Sequence, residues 1–314
     1  MNTTEIVIKV VPIITAIVLG YVLTRLNVLK PTMIDAFKKI IVYVTLPAGL
    51  FIAFIKIRFR VEYVFIILAL FATCLLLFYI AKLIAKVFRI KSRYFPFLLT
   101  GFEAGMMGYA LFTAVFGADA AADFGVVDIG QVLFVFLIFV PMIINMGSEQ
   151  KGLSSIKTSL ITAIKSPVIW AIILGVIGSL SGIWVYEDTR IFTAIDGIFS
   201  FASAPTAFLI CLVIGSGLKL SLKGMKMEII TAVLKVALAL LFAFILAQTV
   251  FRPLGVDERI ITALYALCCL PAPFVIPVFM KNPSEEDLNY VSNTLSIGSL
   301  IGVACFVAVV LIGL

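Results

Sequence analysis

The sequence predicts an all-α membrane protein with ten transmembrane helices, arranged as a 5+5 inverted repeat that contains two broken helices. Three observations lead to this prediction. Of the 314 residues, 63% are hydrophobic and only 13% are charged, whereas roughly 25% of residues are charged in soluble domains. Apolar runs of about 20 residues, each able to cross ~30 Å of hydrocarbon, fill most of the chain. Short motifs also recur between its two halves.

The ten predicted spans follow one another with short connections. They cover residues 5–24, 34–55, 62–86, 95–116, 126–147, 161–181, 192–217, 227–250, 258–280 and 288–312. We interpret the first as a span rather than a signal peptide, because Glu5 precedes it and no small-x-small cleavage site follows. The longest connection, residues 148–160, is a predicted cytoplasmic linker between a first repeat at 1–147 and a second at 161–314.

The recurring motifs predict how the two repeats are related. Residues 12–20 and 167–175 both read PxxxAIxLG, in spans one and six. Pro47 and Pro205 occupy matching places in spans two and seven. Because five is an odd number of spans, the second repeat enters the membrane upside down relative to the first, which makes the repeat an inverted one.

Lysine and arginine set the predicted orientation. With the N-terminus outside, sixteen of these residues fall on the inner side, in loops or the adjoining span ends, and seven on the outer side, leaving out Lys235 deeper within a span. Cytoplasmic loops are enriched in positive charge, so we expect both termini outside a plasma or inner membrane. This topology accounts for the net charge of +7, and we expect the lipid bilayer, not a nucleic acid, as a partner.

Residue types that support metal binding or catalysis are scarce. The chain has no histidine, and its five cysteines all fall in predicted spans without metal-ligand spacing. We find no GxSxG, no paired-aspartate motif on facing spans and no nucleotide motif. The sequence therefore predicts no metal site, no cofactor, no enzyme activity and no nucleotide-driven pump.

Two apolar segments carry residues that interrupt a helix. Residues 98–112 contain three glycines and the carboxylate Glu103, and residues 266–280 contain three prolines. Irregular backbone at membrane depth must be buried in protein or line a cavity. Two interrupted spans in corresponding positions of two halves indicate a transporter site. A packed glycine helix pair, or a proline kink without function, are the structural alternatives.

The candidate site follows from these interruptions. A charge at mid-membrane costs ~2.5–3.5 kcal/mol, which favours a functional role for Glu103 over a neutral, internally hydrogen-bonded one. Helix N-termini after the breaks would attract a carboxylate substrate. The candidate substrate-binding residues are Glu103, Ala104, Gly105, Met106, Pro271, Ala272, Pro273 and Phe274. The secondary candidates are Asp128, Gln131, Asn145, Asn293 and Lys235, the last of which has a side chain long enough to snorkel to the inner face.

Several segments resemble the auxin efflux carrier family. Residues 19–21 (LGY) and 43–51 (YVTLPAGLF) are similar to its first two spans, in which an LGY-like end precedes a basic loop and a YV-x-LP-x-x-LF segment. Residues 103–111 resemble its span-four motif, about N-T-G-F-x-G-x-P-L, with Glu103 in place of Asn and Ala110 in place of Pro. Residues 270–281 resemble its span-nine proline segment. The short linker resembles bacterial or archaeal members.

This resemblance implies a fold shared with bile-acid sodium symporters. Spans 1, 2, 6 and 7 would form a scaffold and a homodimer surface, and the other six would form a transport domain in which spans 4 and 9 cross at the site. It implies a secondary transporter of small organic anions such as malate, malonate or auxin-like acids, with an elevator-like mechanism.

We hypothesise that Glu103 couples transport to protons. A sodium-coupled, bile-acid-like symporter is the alternative, and a membrane ligand sensor without transport is the alternative from a different class. The sequence leaves open the substrate, the direction of transport and whether the coupling ion is H⁺ or Na⁺.

Overall fold

The computed structural model describes residues 3–56, 60–146, 167–183, 189–217, 225–280 and 283–312, and all regular structure in them is helical. We label the α-helices α1 to α15 in chain order. Their bounds are Thr3–Arg25, Pro31–Ile40, Leu46–Lys56, Glu62–Val87, Phe95–Leu98, Tyr109–Phe116, Ala121–Phe134, Val140–Met146, Pro167–Leu180, Arg190–Ser203, Thr206–Ser216, Lys226–Leu246, Glu258–Cys269, Val275–Phe279 and Glu285–Ile312. The predicted linker at 148–160 lies outside the described residues.

Short turns of other helix types join some of these helices. π-helical turns occupy Ile41–Thr45, Ala104–Gly108, Val135–Phe139 and Ala247–Phe251, and a 3₁₀ turn occupies Ala118–Ala120. Six continuous helical stretches in the described residues are long and apolar enough to cross a membrane. They correspond to predicted spans 2, 3, 5, 7, 8 and 10. The all-helical class and a multi-pass membrane protein are thereby confirmed, whereas the ten-helix inverted repeat stays a prediction.

The chain packs into two compact units that alternate along the sequence. The first contains the described residues of Met1–Tyr63, Gly105–Gly125 and Ile164–Gly217, and the second those of Val64–Ala104, Val126–Ala163 and Leu218–Leu314. The first unit holds the helices of predicted spans 1, 2, 6 and 7. The second holds those of spans 3, 8, 9 and 10, together with the beginning of span 4 and the described part of span 5.

Glycines allow the close helix pairs of the first unit. α1 packs along α11, and α3 packs along α9. A Cβ atom on Gly20 would collide with the backbone of Leu212, and one on Gly175 would lie 2.6 Å from Cβ of Phe54. Small residues permit such backbone approach between membrane helices. Gly20 and Gly175 end the two copies of the PxxxAIxLG motif, so the motif has the same packing role in both halves.

Aromatic contacts hold the short helix α5 in the second unit. The ring of Phe97 on α5 lies 5.1 Å from that of Phe78 on α4 and 5.1 Å from that of Phe139 before α8. Such edge-to-face pairs contribute about 0.5–1.5 kcal/mol each beyond their buried area. Helix α5 is only four residues long, too short to be stable alone, so this packing positions the chain that leads into the first interruption.

Candidate functional site

Both segments with predicted interruptions are broken in the structure. Helix α5 ends at Leu98, and regular helix resumes only with the π turn Ala104–Gly108, which leads into α6. Helix α13 ends at Cys269, and α14 begins at Val275. We call residues 99–103 the first break and residues 270–274 the second break. Both lie in the second compact unit.

Glycine makes the first break possible. Gly101 has a φ of +70°, a left-handed conformation that costs other residues about 1–2 kcal/mol. It also packs closely, because a Cβ atom there would lie 2.9 Å from Cγ of Pro273 in the second break. Ala110, which replaces the proline of the family motif, lies within α6 and is helical. The first break therefore depends on glycine and not on proline.

Proline makes the second break. A residue that precedes proline is sterically driven away from the α conformation. Leu270, just before Pro271, is accordingly extended, with φ −71° and ψ 152°, and it ends α13. Pro273 follows two residues later, and helix begins again with Phe274 as the N-cap of α14. The prolines provide no amide donors, but their carbonyl groups remain available as acceptors.

Glu103 joins the two breaks with its backbone and with its side chain. Its amide N–H donates to the carbonyl of Pro271 at 2.9 Å. Its Oε2 atom accepts a hydrogen bond from the amide N–H of Phe274 at 2.5 Å. The side chain is well buried, with the residue only 8% exposed. The sequence predicted that helix N-termini after the breaks would attract an anion, and the carboxylate of Glu103 takes that position at the second break.

Asp128 and Gln131 support the first break from α7. Gln131 Oε1 accepts a hydrogen bond from the amide of Phe102 at 3.2 Å, and its Nε2 donates to Asp128 Oδ1 at 2.8 Å. Both side chains are buried. Buried polar groups are costly unless they are hydrogen-bonded, so this chain of bonds fixes the amide of Phe102. Both residues were secondary candidates in the sequence, and the structure brings them to the break.

Lys235 on α12 is also at the first break. Its Nζ atom lies 4.0 Å from the centre of the Phe102 ring, within the range of a cation–π interaction. The residue is only 2% exposed, and no hydrogen-bond acceptor in the described chain is within reach of Nζ. Although the side chain is long enough to snorkel to the inner face, it does not extend there. The ring face and the packing of α12 keep it inside the protein.

The remaining candidates differ in how they contribute. Ala104 starts the π turn and is buried, while Gly105 in the same turn is half-buried. Pro271, Ala272 and Pro273 are buried in the second break. Asn293 is half-buried on α15, and no described contact links it to the breaks. The side chains of Met106 and Asn145 lie outside the part of the structure that is described. The sequence did not single out Phe102, whose amide and ring bind Gln131 and Lys235.

A separate cavity of about 340 Å³ lies within the first unit. Small residues line much of it, among them Gly49, Ala53, Ala110, Ala114, Ser203 and Ala207. Lys56 and Asp196 also line it and form an ion pair at 2.9 Å. The buried hydroxyl of Thr45, at the end of a π turn, has no hydrogen-bond partner in the described residues. This cavity was not predicted from the sequence, because its walls come from three distant segments.

Comparison with known families identifies the kind of protein. A family model described as membrane transport protein matches residues 5–306, nearly the whole chain. The search of curated proteins found no match to the chain. Proteins of this family are transporters rather than enzymes. The match agrees with the resemblance seen in the motifs of spans 1, 2, 4 and 9. The chain therefore belongs to the membrane transport protein family, which includes the auxin efflux carriers.

Proposed function

We propose that this protein is a secondary active transporter of small organic anions that works by elevator-like alternating access. The observation that carries the proposal is the contact between the two breaks, made by Glu103 to Pro271 and Phe274. Interrupted helices that meet inside a membrane protein are where transporters of this design hold their cargo. In this proposal spans 1, 2, 6 and 7 are the scaffold, and the remaining spans carry the breaks as the moving domain.

The charge of Glu103 places a condition on binding of an anion. Two negative charges at ~4 Å repel each other by ~4 kcal/mol at an effective dielectric constant near 20. An incoming carboxylate also competes with Glu103 for the amide of Phe274. Hydrogen bonds to an ionised acceptor are about twice as strong as neutral ones, so protonation of Glu103 both removes the repulsion and loosens its hold on that amide. We therefore propose that a proton and an organic anion are carried together.

The test uses proteoliposomes and a panel of mono- and dicarboxylates. Wild-type protein is expected to exchange at least one acid and to accumulate it on a proton gradient. Glu103→Gln keeps an oxygen acceptor for the Phe274 amide but does not titrate, so it should retain exchange and lose proton-driven accumulation. Glu103→Ala removes the hydrogen-bond donor that a protonated Glu103 offers to the acid, so this variant should bind the acid more weakly.

Three outcomes would contradict this mechanism. Proton-driven accumulation by Glu103→Gln at the wild-type level would show that Glu103 is not the proton carrier. A sodium requirement in the wild type that Glu103→Gln abolishes would favour a sodium symporter of larger, bile-acid-like anions. Binding of an acid without exchange or uptake would favour a ligand sensor.

We further propose that both termini lie outside the cytoplasmic membrane. The bias of lysine and arginine between the two sides supports this orientation, and two ion pairs, Lys56 with Asp196 and Arg93 with Asp287, agree with the predicted grouping of the loops. Each joins residues predicted on the same side of the membrane. A cysteine introduced at Arg252 should react with an impermeant thiol reagent in intact cells, while one at Arg93 should be protected. The reverse labelling pattern would overturn the orientation.

The proposed scaffold also predicts a homodimer formed through spans 1, 2, 6 and 7. Light scattering in mild detergent should give the mass of two chains. Monomer alone, at protein concentrations well above micromolar, would count against this arrangement.

A further inference from the structure

A buried ammonium group in the second unit has no role in the contacts between the breaks. Lys235 lies about two turns from the start of α12, inside a helix long enough to span the membrane. Its Nζ atom is buried and has no hydrogen-bond acceptor among the described residues. A lysine ammonium has three donors and no acceptor, so all three donors are unused.

The surroundings of Lys235 offer only weak compensation for its charge. The ring of Phe102 lies beneath the ammonium at 4.0 Å. The thiols of Cys74, Cys268 and Cys269 are close enough to interact with it electrostatically. A single cation–π contact offsets only part of the free energy that burial of an ion costs. An ionisable group held at membrane depth under such conditions marks a functional site.

The buried acids nearest the breaks already have partners of their own. Glu103 accepts the amide of Phe274, and Asp128 accepts the side-chain amide of Gln131. Lys235 reaches this network through Phe102, because the Phe102 ring faces the ammonium while its amide donates to Gln131. The described contacts thus connect one cation with unused donors to Gln131 and Asp128 through Phe102, which precedes Glu103 in the chain.

We propose that Lys235 binds the carboxylate of the transported acid and selects acids with one carboxylate. This inference rests on the proposed function and names the chemistry of its substrate. One ammonium matches one carboxylate, and the face of Phe102 suits an apolar or aromatic remainder. A second carboxylate on the ligand would meet Glu103 and Asp128 without a further buried cation in the described network. Binding the carboxylate to Lys235 also makes the pair neutral, which lowers the cost of holding an anion at membrane depth.

The test measures binding and uptake with benzoate as the monocarboxylate probe and malonate as the dicarboxylate probe. Benzoate should stabilise the purified wild-type protein against thermal unfolding and bind at least ten-fold more tightly than malonate. Lys235→Met should weaken benzoate binding at least ten-fold, and Lys235→Arg should weaken it less. Replacement of a buried charge by an apolar side chain of similar size is usually tolerated. Lys235→Gln, which keeps donors without charge, provides a second neutral variant.

The matched control is Lys226→Met, at the exposed first residue of the same helix, which should leave benzoate binding unchanged. Wild-type benzoate affinity in Lys235→Met or Lys235→Gln, or equal affinity of the wild type for malonate, would overturn the inference and leave the transport proposal standing. Benzoate binding that depends on Lys235, without uptake of any acid, would overturn the proposed function instead. Neither binding nor uptake of any acid would overturn both.

Discussion

The two breaks interrupt their helices with different residue types, glycine in the first and proline in the second. The first is made by Gly101 in a left-handed conformation, and it keeps its amide groups, so Phe102 and Glu103 act as donors. The second is made by Pro271 and Pro273, which have no amide hydrogen, and it contributes a carbonyl acceptor. The hydrogen bonds between the breaks run both ways, because the Glu103 amide donates to the Pro271 carbonyl and the Phe274 amide, beyond the prolines, donates to the Glu103 carboxylate. The comparison shows why two unlike breaks can satisfy each other where water is absent.

The largest effect is expected from adding a side chain to Gly101, which packs against Pro273. In Gly101→Ala the new Cβ atom would lie 2.9 Å from Cγ of Pro273, in addition to the strain of a positive φ. We expect a loss of more than about 3 kcal/mol of stability from strain and overpacking together, measured as a lower midpoint of thermal unfolding in detergent. Gly255→Ala is the control, because Gly255 has a φ of +63° and no neighbour within 4 Å of its Cβ position. Equal losses in the two variants would show that contact between the breaks is unimportant.

The next largest effect is expected from removing the side chain of Gln131, which accepts the amide of Phe102 in the first break. Gln131→Leu deletes the acceptor of the buried Phe102 amide, which costs about 1–3 kcal/mol when such a group is left without a partner. The variant should unfold at a lower temperature and take up substrate more slowly. Gln248→Leu, at an exposed glutamine in another span, should change stability by no more than about 0.5 kcal/mol. Similar midpoints for the two variants would contradict the role of Gln131.

A smaller effect is expected from Pro273→Ala. Combined with Gly101→Ala, it tests whether the two breaks are coupled through the contact between these residues. Removal of two ring methylenes costs about 1.6 kcal/mol. It also clears the space that the Cβ atom of Gly101→Ala would enter. The double variant should therefore be more stable than the sum of the single losses predicts, by about 0.5–3 kcal/mol. Strict additivity in the unfolding midpoints would mean that these residues do not share a contact.

The smallest effect is expected at Thr100, which lies in the first break and whose described hydrogen bond does not reach the second break. Its hydroxyl donates to the carbonyl of Pro96 in the preceding helix α5 at 2.9 Å. Thr100→Val preserves the shape and removes only this bond, at a cost of about 0.5–1.5 kcal/mol. Uptake kinetics should match those of the wild type. A loss of uptake as large as that of Gln131→Leu would show that the whole break, and not its contacts, determines activity.

Much of the fold could be predicted because a helix that crosses a bilayer needs a long run of apolar residues, and such runs are visible in the sequence. The long apolar runs correspond to helices, and the interruptions at Gly101 and at Pro271 appear where those residue types stand. Both are local effects, since glycine and proline act on the backbone of their own segment. Glu103 could also be singled out from local sequence, because it is a carboxylate inside an apolar run.

The sequence by itself therefore determined the helical class, the places of the six continuous helical stretches among ten predicted spans, and the positions of the two breaks. Only the tertiary structure decided that Glu103 binds the amide of Phe274, 171 residues away, and that Lys235 is buried against Phe102 rather than extended to the surface. The physical reason is that apolar side chains surround a membrane helix on all sides. Hydropathy then indicates that the helix lies in the membrane, but which face meets another segment depends on packing between parts of the chain that are far apart in sequence.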